Sequence, residues 1–379
     1  MRSRLATLGL FAAGLSACAA GVTDPAPATT SAALRDQATA VQTTAPSEWV
    51  RGIDVSEARA AEAAGVKFRD LNGTIKPALQ LVKDHQYGWV RVRLMIDSDG
   101  TYGLFQDLPY VKAVMKDAKA RGLKVLLDLQ YSHWWTDPGN QWTPARWKGQ
   151  DLNTLAASVY AYTRDVIAQL RAQNTAPDMV QIGNEVNGGL LWDVGRSSDM
   201  GNFVKLSNAG ADAVRDASGG RARMPPIMVH IAKTGDAAAT VAWYQAFIAA
   251  GGWVDVIGLS YYPMWYGDFA NLSASVKALR SAFPWARVYL AETAFYWSAN
   301  QKEYAHLPYP QTPQGQLAYL RTLSPVVRSA GGSGIFYWGA FWSQSGRWLK
   351  APDWTDDDAS RRALFDDSAR ATPAIDGLN

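Results

Sequence analysis

The feature that most constrains this chain is a repeated alternation of short apolar runs with amphipathic helical stretches, beginning at Trp49. Eight runs have the length and composition of buried strands: Trp49–Val55, Trp89–Leu94, Lys124–Leu129, Met179–Asn184, Ile227–Ile231, Val254–Leu259, Val288–Ala291 and Gly334–Trp338. Helices are predicted near Thr74–Asp84, Leu108–Arg121, Leu152–Gln173, Phe203–Asp216, Ala238–Ala250, Leu272–Phe283 and Gln314–Ala330. Repeated βα units imply a parallel sheet, and eight units that close on themselves form a single α/β domain, the (β/α)8 TIM barrel. An open doubly wound sheet is the competing fold, but no glycine-rich phosphate loop follows the first strand.

Two of the predicted strands end in a glutamate. Gly183, Asn184 and Glu185 follow the apolar residues of the fourth strand, and Glu292 follows those of the seventh. Barrel enzymes carry their catalytic groups at the carboxyl ends of the strands. Two carboxylic acids at that end are the pair that a retaining glycosidase requires, and Asn184 can hydrogen-bond a substrate hydroxyl. A single Glu of this kind is ordinarily a solvated strand end, but the joint pattern predicts a catalytic pair.

Composition limits the partners of this 379-residue chain. It has 37 basic and 34 acidic residues without a basic cluster, so a nucleic acid is not an expected partner. Its 16 Trp and 16 Tyr can fill a core, but they also offer flat faces on which sugar rings stack. The 4 His lack metal-ligand spacing, which disfavours a metal-dependent hydrolase. We expect a monomer without a metal or any other cofactor.

Polar and aromatic side chains stand at the carboxyl ends of the other predicted strands as well. Together with the two glutamates, these are Asp54, Arg91 or Arg93, Asp128, Gln130, Tyr131, Asn184, His230, Tyr261, Tyr262 and Trp338. Arg93 is expected to hold a neighbouring carboxylate ionised, because an adjacent cation favours the charged form; a structural salt bridge is the alternative. Tyr261 is expected to hydrogen-bond the nucleophilic Glu. His230 is predicted to contact substrate, with a satisfied polar residue at a strand tip as the alternative.

Residues 1–17 have the pattern of a signal peptide, with two arginines before an apolar run that is too short to cross a membrane. The run ends in Leu15-Ser16-Ala17-Cys18, which resembles the lipobox of bacterial lipoproteins. We therefore predict that Cys18, the only cysteine, is lipidated and is the sole membrane attachment. Cleavage after a small residue without lipidation is the alternative.

Residues 18–45 are rich in Ala, Thr and Pro and contain few large apolar side chains. Such a segment is predicted to be a flexible tether, and the catalytic domain is predicted to span residues 46–379. The protein is then expected to be exported and lipid-anchored to a bacterial cell-envelope membrane, on its periplasmic or cell-surface face.

Several segments are similar to glycoside hydrolase family 53, which belongs to clan A of the glycoside hydrolases. They are Val180–Glu185, Gly258–Pro263, Ala291–Ala294 and Phe336–Trp338, with Asp128–Gly139 and Leu190–Trp192 in addition. The resemblance runs from about Arg51 to Trp342, which is most of the predicted domain. Enzymes of this family are endo-β-1,4-galactanases that act on the galactan chains of type I arabinogalactan. The resemblance implies that Glu185 is the general acid/base and Glu292 the nucleophile of a retaining mechanism.

The chain departs from the family pattern beside the predicted substrate groove. Members commonly read His-Tyr-Ser-Asp where this chain has Gln130-Tyr131-Ser132-His133, and Gly339-Ala340 replaces a common Glu-Pro. Some members bind calcium in the loop after the seventh strand, but Ser298–Lys302 offers no acidic cluster, so calcium is not expected. We expect Gln130 and His133 to donate to substrate hydroxyls. Stacking faces are expected from among Trp134, Trp135, Trp192, Trp265, Trp297 and Trp342.

The polysaccharide itself is the least constrained prediction. We expect β-1,4-galactan to be the preferred substrate and to be cleaved internally. An endo-glycanase of the same chemistry that acts on β-mannan or β-glucan is the nearest alternative. A non-catalytic, surface glycan-binding barrel is an alternative of another class, and the glutamate pair disfavours it because a lectin does not need both carboxyls.

Overall fold

The computed structural model describes residues 48–299, 307–345, 349 and 357–379. The predicted signal peptide, Cys18 and the tether of residues 18–45 lie outside the described residues and stay predictions. The loop for which no calcium is expected, residues 298–302, lies partly outside them. Within the described part of the chain, no helix combines the length and apolar character needed to cross a membrane.

Eight parallel strands close into a barrel in the order of the chain, which confirms the predicted (β/α)8 fold. The strands are β1 (Val50–Asp54), β2 (Trp89–Leu94), β3 (Lys124–Leu129), β4 (Met179–Ile182), β5 (Ile227–Ile231), β6 (Val256–Ser260), β7 (Arg287–Thr293) and β8 (Gly334–Tyr337). Pairing of β1 with β8, in which Gly52 lies opposite Phe336, completes the closure. All eight carboxyl ends therefore meet at one face of the barrel.

Helices connect the strands, and most of them cover the outside of the barrel. They are α1 (Ala58–Ala63), α2 (Ala78–Asp84), α3 (Leu108–Ala120), α4 (Leu152–Ala172), α5 (Met200–Ala217), α6 (Ala237–Ala249), α7 (Pro263–Tyr266), α8 (Phe269–Ala282), α9 (Pro313–Ser329) and α10 (Asp357–Arg361). Two of them begin three residues earlier than hydrophobic spacing predicted. The reason is side-chain capping, because Asp199 accepts from Asn202 N and Asp268 accepts from Asn271 N.

Two strands near the site also differ from their predicted bounds. β6 ends at Ser260 and β7 runs on through Glu292 to Thr293, beyond the apolar residues that defined them in the sequence. A register irregularity between the two strands sets Ser260 opposite Glu292. These polar residues thus belong to the barrel wall itself, which holds them more rigidly than a loop would.

The lower part of the barrel interior is filled with apolar side chains. Leu126, Met179, Met228, Tyr289 and Phe336 are all buried there and pack against one another. Strand side chains alternate between the two faces of a sheet, so residues two positions further along point inward again, one layer higher. From β3, β4 and β5 these are Asp128, Gln181 and His230, all fully buried. A polar layer therefore lies directly above the apolar layer, toward the carboxyl ends.

Candidate active site

A cavity of about 340 Å³ opens at the carboxyl ends of the strands. Both predicted catalytic glutamates line it, together with an unusual share of aromatic side chains. The wall consists of Arg93, Gln130, Trp135, Thr136, Asp137, Pro138, Asn184, Glu185, Tyr262, Trp265, Tyr266, Glu292, Trp338 and Arg362. The cavity joins residues from the ends of β2, β3, β4, β6, β7 and β8 with one from the C-terminal segment.

A tight turn after β4 aims Glu185 into the cavity. Gly183 has φ of +72°, and a Cβ there would lie 2.5 Å from Val186 Cγ1, so the turn requires glycine. Glu185 itself adopts a left-handed conformation, with φ of 46°. Gln141 Nε2 donates to the carbonyl of Asn184 at 2.8 Å and so ties the turn to the β3 loop. Strained backbone of this kind persists where surrounding contacts fix it.

Both carboxylate oxygens of Glu292 are engaged. Arg91 Nη1 lies 2.8 Å from its Oε1, and the Tyr262 hydroxyl donates to its Oε2 at 3.0 Å. Burial and the charge of Glu292 raise the pKa of Tyr262 well above its usual value, so the phenol keeps its proton and donates. A carboxyl group held by a guanidinium and a hydroxyl is suited to present its oxygens to substrate in a fixed position.

The Arg93 guanidinium pairs with Glu57, the structural salt bridge that was the alternative for this residue, and it stacks on Trp135, 4.7 Å from the ring centroid. The carboxylate of Glu292 is held instead by Arg91, which lies two residues earlier on the same face of β2 and so one layer deeper in the barrel. One sequence expectation about Glu292 is wrong. Tyr261 was expected to hydrogen-bond the nucleophile, but its hydroxyl donates to the carbonyl of Gly267 at 3.0 Å.

Arg91 also organises the buried polar layer below the cavity. It pairs with Asp54 at 3.0 Å and Asp128 at 2.8 Å, and it donates to Asn184 Oδ1 at 2.8 Å. Although burial lowers the pKa of Arg91, the charges of Asp128, Glu292 and Asp54 raise it overall, so the arginine stays cationic. Burial raises the pKa of Asp128 to about 7, against the opposing effect of Arg91. One arginine thus faces several carboxyls in a water-poor layer.

Glu185 has a different environment from Glu292. Its Oε1 lies 2.5 Å from Ser260 Oγ, and Ser260 Oγ lies 2.9 Å from His230 Nε2. Burial, followed by the charge of Glu292, raises the pKa of Glu185 to about 8. One carboxyl is therefore held by a cation while its neighbour is biased toward the protonated form. Carboxyls whose surroundings separate their protonation states are suited to act as an acid and a nucleophile.

Several residues predicted to contact substrate do not line the cavity in the described structure. Asp54, Asp128 and His230 lie fully buried in the polar layer beneath it. Tyr131 packs between the barrel and the helices, where its hydroxyl contacts Thr163 at 2.7 Å, and Tyr261 is buried after β6, where its ring lies against Phe269. His133 is exposed outside the cavity wall. The strand-end pattern located these residues near the site. It did not distinguish residues that line the cavity from residues that lie beneath or outside it.

Gln130, Asn184 and Arg93, which are predicted to bind substrate, do line the cavity, but much of their polar capacity is engaged. Gln130 Nε2 donates to Asp128 at 2.5 Å, and its Oε1 accepts from Thr136. Asn184 Nδ2 donates to the carbonyl of Thr136 at 2.8 Å. These amides therefore hold the wall of the cavity in place as well as facing it.

Three tryptophans form the aromatic surface of the cavity: Trp135, Trp265 and Trp338. Trp265 is 52% exposed and packs edge-on against Tyr262, so one broad face is open to a ligand. Trp338 stacks on Trp342, which is itself buried. The predicted stacking residues Trp134, Trp192 and Trp297 lie outside the wall of the cavity.

Sequence reasoning missed several wall residues, of which Arg362 is the most informative. Its guanidinium lies within 6.0 Å of the ring centroids of Tyr262, Trp265, Tyr296 and Trp338. Arg362 follows α10, far from any strand end, and no motif surrounds it, so no signal in the sequence pointed to it. Gln141 and Ser260 were overlooked as well, although Ser260 precedes two tyrosines at a strand end and was open to the same reasoning.

A closed (β/α)8 barrel with two strand-end glutamates in an aromatic-lined cavity defines the class of barrel glycoside hydrolases. The model of glycosyl hydrolase family 53 matches residues 50–378, and the chain belongs to that family. The protein is accordingly a glycoside hydrolase, as the resemblance implied.

Curated and solved relatives agree with this assignment. The chain is 37% identical to a probable arabinogalactan endo-beta-1,4-galactanase A of Aspergillus terreus, over 78% of this chain and 86% of the relative. It is 33% identical to an arabinogalactan endo-beta-1,4-galactanase of Cellvibrio japonicus, over 86% and 88%. Among solved structures, the GH53 catalytic domain of Ignisphaera aggregans superposes with a TM-score of 0.79 at 31% identity, covering 89% of this chain and 97% of that domain.

Proposed function

We propose that this protein is a retaining endo-β-1,4-galactanase that hydrolyses the galactan chains of type I arabinogalactan. The observation that carries the proposal is the contrast between two carboxyls in one cavity: Glu292 between Arg91 and Tyr262, and Glu185 beside Ser260. The galactanase activity named for relatives at 33% and 37% identity supports the choice of substrate.

In the first step of the proposed mechanism, Glu292 attacks the anomeric carbon of the bound sugar. Arg91 and Tyr262 hold the carboxylate so that one oxygen faces the substrate. Glu185 gives its proton to the departing glycosidic oxygen. The bond between the anomeric carbon and that oxygen breaks while the bond to Glu292 forms, which leaves a covalent glycosyl-enzyme.

In the second step, water replaces the departed sugar. Forming the ester removes the charge of Glu292, which had helped to keep Glu185 protonated. Glu185, now ionised, takes a proton from water, and the resulting hydroxide attacks the anomeric carbon and frees Glu292. Two inversions at one carbon give net retention. After the two steps, Glu185 is protonated and Glu292 is ionised, as at the start.

The aromatic wall supports recognition of a polysaccharide. Trp135, Trp265 and Trp338 present rings along the cavity that contains the glutamates. Sugar C–H faces stack on such rings, while hydroxyl orientation is read by directional hydrogen bonds. We propose that the polar groups of Arg93, Asn184 and Gln130 that face the cavity take part in that reading.

Hydrolysis of β-1,4-galactan, set beside β-mannan and β-glucan at equal mass concentration, tests the proposal. We expect reducing ends to appear fastest from galactan, with intermediate oligosaccharides before small products, and the first product to have the β configuration by proton NMR. Faster cleavage of mannan or glucan would contradict the substrate, and an α product would contradict retention. No cleavage by wild-type protein, with binding intact, would favour a glycan-binding barrel.

We also propose that the protein is exported and held to a cell-envelope membrane through lipid on Cys18. The motif Leu15-Ser16-Ala17-Cys18 and the Ala/Thr/Pro-rich residues after it support this proposal. In cells fed a labelled fatty acid, wild-type protein is expected in the membrane fraction with label. Cys18→Ser should lose both the label and the membrane association. A soluble, unlabelled wild-type protein would contradict the anchor.

A further inference from the structure

A continuous row of polar groups runs behind Glu185, away from the cavity. Ser260 Oγ lies 2.5 Å from Glu185 Oε1, and His230 Nε2 lies 2.9 Å from Ser260 Oγ. The other ring nitrogen of His230, Nδ1, lies 2.9 Å from Asn184 Oδ1. Ser260 and His230 are fully buried, so no bulk solvent reaches the contacts between them. The position of the protons along this row can be worked out from its far end.

The amide of Asn184 has a defined orientation. Its Nδ2 donates to the backbone carbonyl of Thr136 at 2.8 Å, and its Oδ1 accepts from Arg91 Nη2 at 2.8 Å. Since a carbonyl can only accept and an arginine can only donate, the two atoms of the amide cannot be exchanged. Asn184 therefore presents an oxygen acceptor to His230, and His230 Nδ1 must carry a hydrogen to bond it.

Gln181 is the other polar neighbour of His230 Nδ1, at 3.2 Å from its Nε2. That amide has two hydrogens, and closer acceptors take both: Asp128 Oδ1 at 2.8 Å and the carbonyl of Gly183 at 2.9 Å. Gln181 therefore has no hydrogen left for the imidazole. The assignment of the hydrogen to Nδ1 of His230 stands.

His230 is a neutral imidazole. Burial, with the charge of Arg91 in addition, lowers its pKa well below the usual value. A neutral ring with hydrogen on Nδ1 has a lone pair on Nε2, which can only accept. Ser260 must then donate its one hydrogen to Nε2. Its oxygen is left as an acceptor toward Glu185 Oε1, so with this arrangement of hydrogens a protonated Glu185 carboxyl is the donor across the 2.5 Å contact.

We propose that Ser260 and His230 are positioning residues for Glu185: His230, by accepting the Ser260 hydrogen, favours the protonated carboxyl in the resting enzyme, and Ser260 then donates to the ionised carboxyl. In the resting state the hydrogen bonds run from Glu185 to Ser260 to His230. When Glu185 has given its proton to the leaving sugar, rotation of the Ser260 hydroxyl turns its hydrogen from His230 to Glu185. Apart from the proton that Glu185 has given to the sugar, the only change is the direction of the Ser260 O–H bond. This inference takes the acid/base role of Glu185 from the proposed function.

Other charged and titratable groups also face Glu185 and set the background against which the row acts. Glu292 on β7 and Asp137 in the β3 loop raise its pKa, whereas a hydrogen bond donated by Ser260 and the charge of Arg91 on β2 lower its pKa. Tyr262 and Tyr266 approach from the segment after β6. His230 faces Arg91. A test must therefore leave these groups in place and alter only the row.

Two variants are expected to shift the alkaline limb of kcat/KM in opposite directions. His230→Asn keeps an amide donor for Asn184 but removes the acceptor for Ser260, which is then free to donate to ionised Glu185. The alkaline limb should move down by about one pH unit, because the free energy of one hydrogen bond to a charged group corresponds to a pKa change of about that size. Ser260→Ala removes that donor, which matters more to the charged than to the neutral carboxyl, so the limb should move up by about one unit.

If the two residues had a purely structural role, the alkaline limb would move in the same direction in both variants or would not move in either. Either result would overturn the proposal. Nitrogen-15 NMR gives a readout that does not depend on activity or on a variant that folds. The chain has 4 His, so the imidazole signals can be assigned by single substitutions. We expect His230 to show hydrogen on Nδ1, and hydrogen on Nε2 would overturn the proposal. If the wild-type protein fails to cleave galactan, carbon-13 titration of the Glu185 carboxyl in the same variants still decides the inference separately.

Discussion

The Tyr262 hydroxyl donates to Oε2 of Glu292 at 3.0 Å, whereas the adjacent Tyr261 points away and donates to a backbone carbonyl. The two tyrosines directly follow β6, and successive residues of extended backbone face opposite sides, so they have the same chemistry and opposite surroundings. Substitution of each tyrosine in turn therefore separates the effect of the hydrogen bond to Glu292 from the effect of losing a buried hydroxyl.

Tyr262→Phe should lower kcat/KM on galactan by about tenfold or more, because a hydrogen bond to a charged group is worth about 1.5–3 kcal/mol. Tyr261→Phe is the matched control and should have near wild-type kinetics, with a modest loss of stability from the bond to Gly267. Steady-state kinetics and thermal unfolding of both variants measure this. Equal losses of kcat/KM in the two variants would show that the Glu292 contact has no special value.

Substitution of the two glutamates should distinguish their roles. Glu185→Ala is expected to lose about 10²–10⁴ in kcat/KM on galactan but less on an aryl galactoside, whose leaving group needs little protonation. Azide should accelerate that variant and give a glycosyl azide of retained configuration. Glu292→Ala should be inactive on both substrates, and azide should give the inverted product. The reverse pattern of azide products would mean that the roles are exchanged.

Activity and stability should both depend on the ionisation of Glu185, whose pKa is raised to about 8. The protonated acid is required, so kcat/KM should fall as pH rises through that value. For stability, a folded-state pKa above the unfolded one gives a contribution that is full below the unfolded pKa and is lost as pH rises through the folded pKa.

Burial raises the pKa of Asp128 to about 7, so this carboxyl adds a contribution of the same sign to the pH dependence of stability. Urea unfolding from pH 4 to pH 9 should therefore show stability declining toward the alkaline end. Glu185→Gln, which cannot ionise, should reduce the slope between the unfolded and folded pKa values. An unchanged slope would contradict the raised pKa of Glu185.

Arg91 should be important for stability as well as activity. Arg91→Met leaves Asp54, Asp128 and Glu292 buried without their shared cation, and removal of one partner from a buried pair costs about 3–5 kcal/mol. Arg121→Met, which removes a half-exposed pair with Asp117, is the control and should cost no more than about 1 kcal/mol. Denaturant titration of both variants gives the comparison, and similar losses would argue against the central role of Arg91.

Trp265→Ala should raise KM for galactan roughly threefold to tenfold with little change in kcat, the range expected for loss of one stacking contact. Trp142→Ala is a suitable control, because Trp142 is also half-exposed, at 51%, but lies outside the wall of the cavity. Kinetics on galactan and on a short galacto-oligosaccharide measure both variants. Equal effects of the two substitutions would contradict stacking at Trp265.

The barrel and its reactive end could be predicted from the sequence because both depend on patterns local to each strand. Apolar runs located all eight strands, and the polar residue after each run located the cavity. The patterns could not predict how deep in the barrel each inward-facing side chain lies. Arg91 and Arg93 are two residues apart on one strand, and which of them reaches Glu292 depends on the tilt of the barrel and the height of its neighbours.

Contacts made by distant segments were also beyond the sequence. Arg362 enters the aromatic wall from the C-terminal segment, and Gln141 supports the turn at Glu185 from a loop. Neither carries a periodic or motif signal, because its position is fixed by packing between parts of the chain that are far apart in sequence. The aspartates that cap two helices, by contrast, are a local sequence signal, and they were sufficient to predict the earlier start of both helices.

Parallel closure of the barrel also decides how the enzyme would face a surface. β1 begins at Val50 on the face opposite the strand ends that carry the glutamates, and Asn379 lies beside Arg51 on that same face, 2.6 Å from its guanidinium. Any anchor joined ahead of β1 is therefore attached on the side of the barrel opposite the catalytic mouth. Immobilisation through the N-terminus should accordingly leave long polymer chains free access, whereas attachment through the β3 or β8 loops should obstruct them.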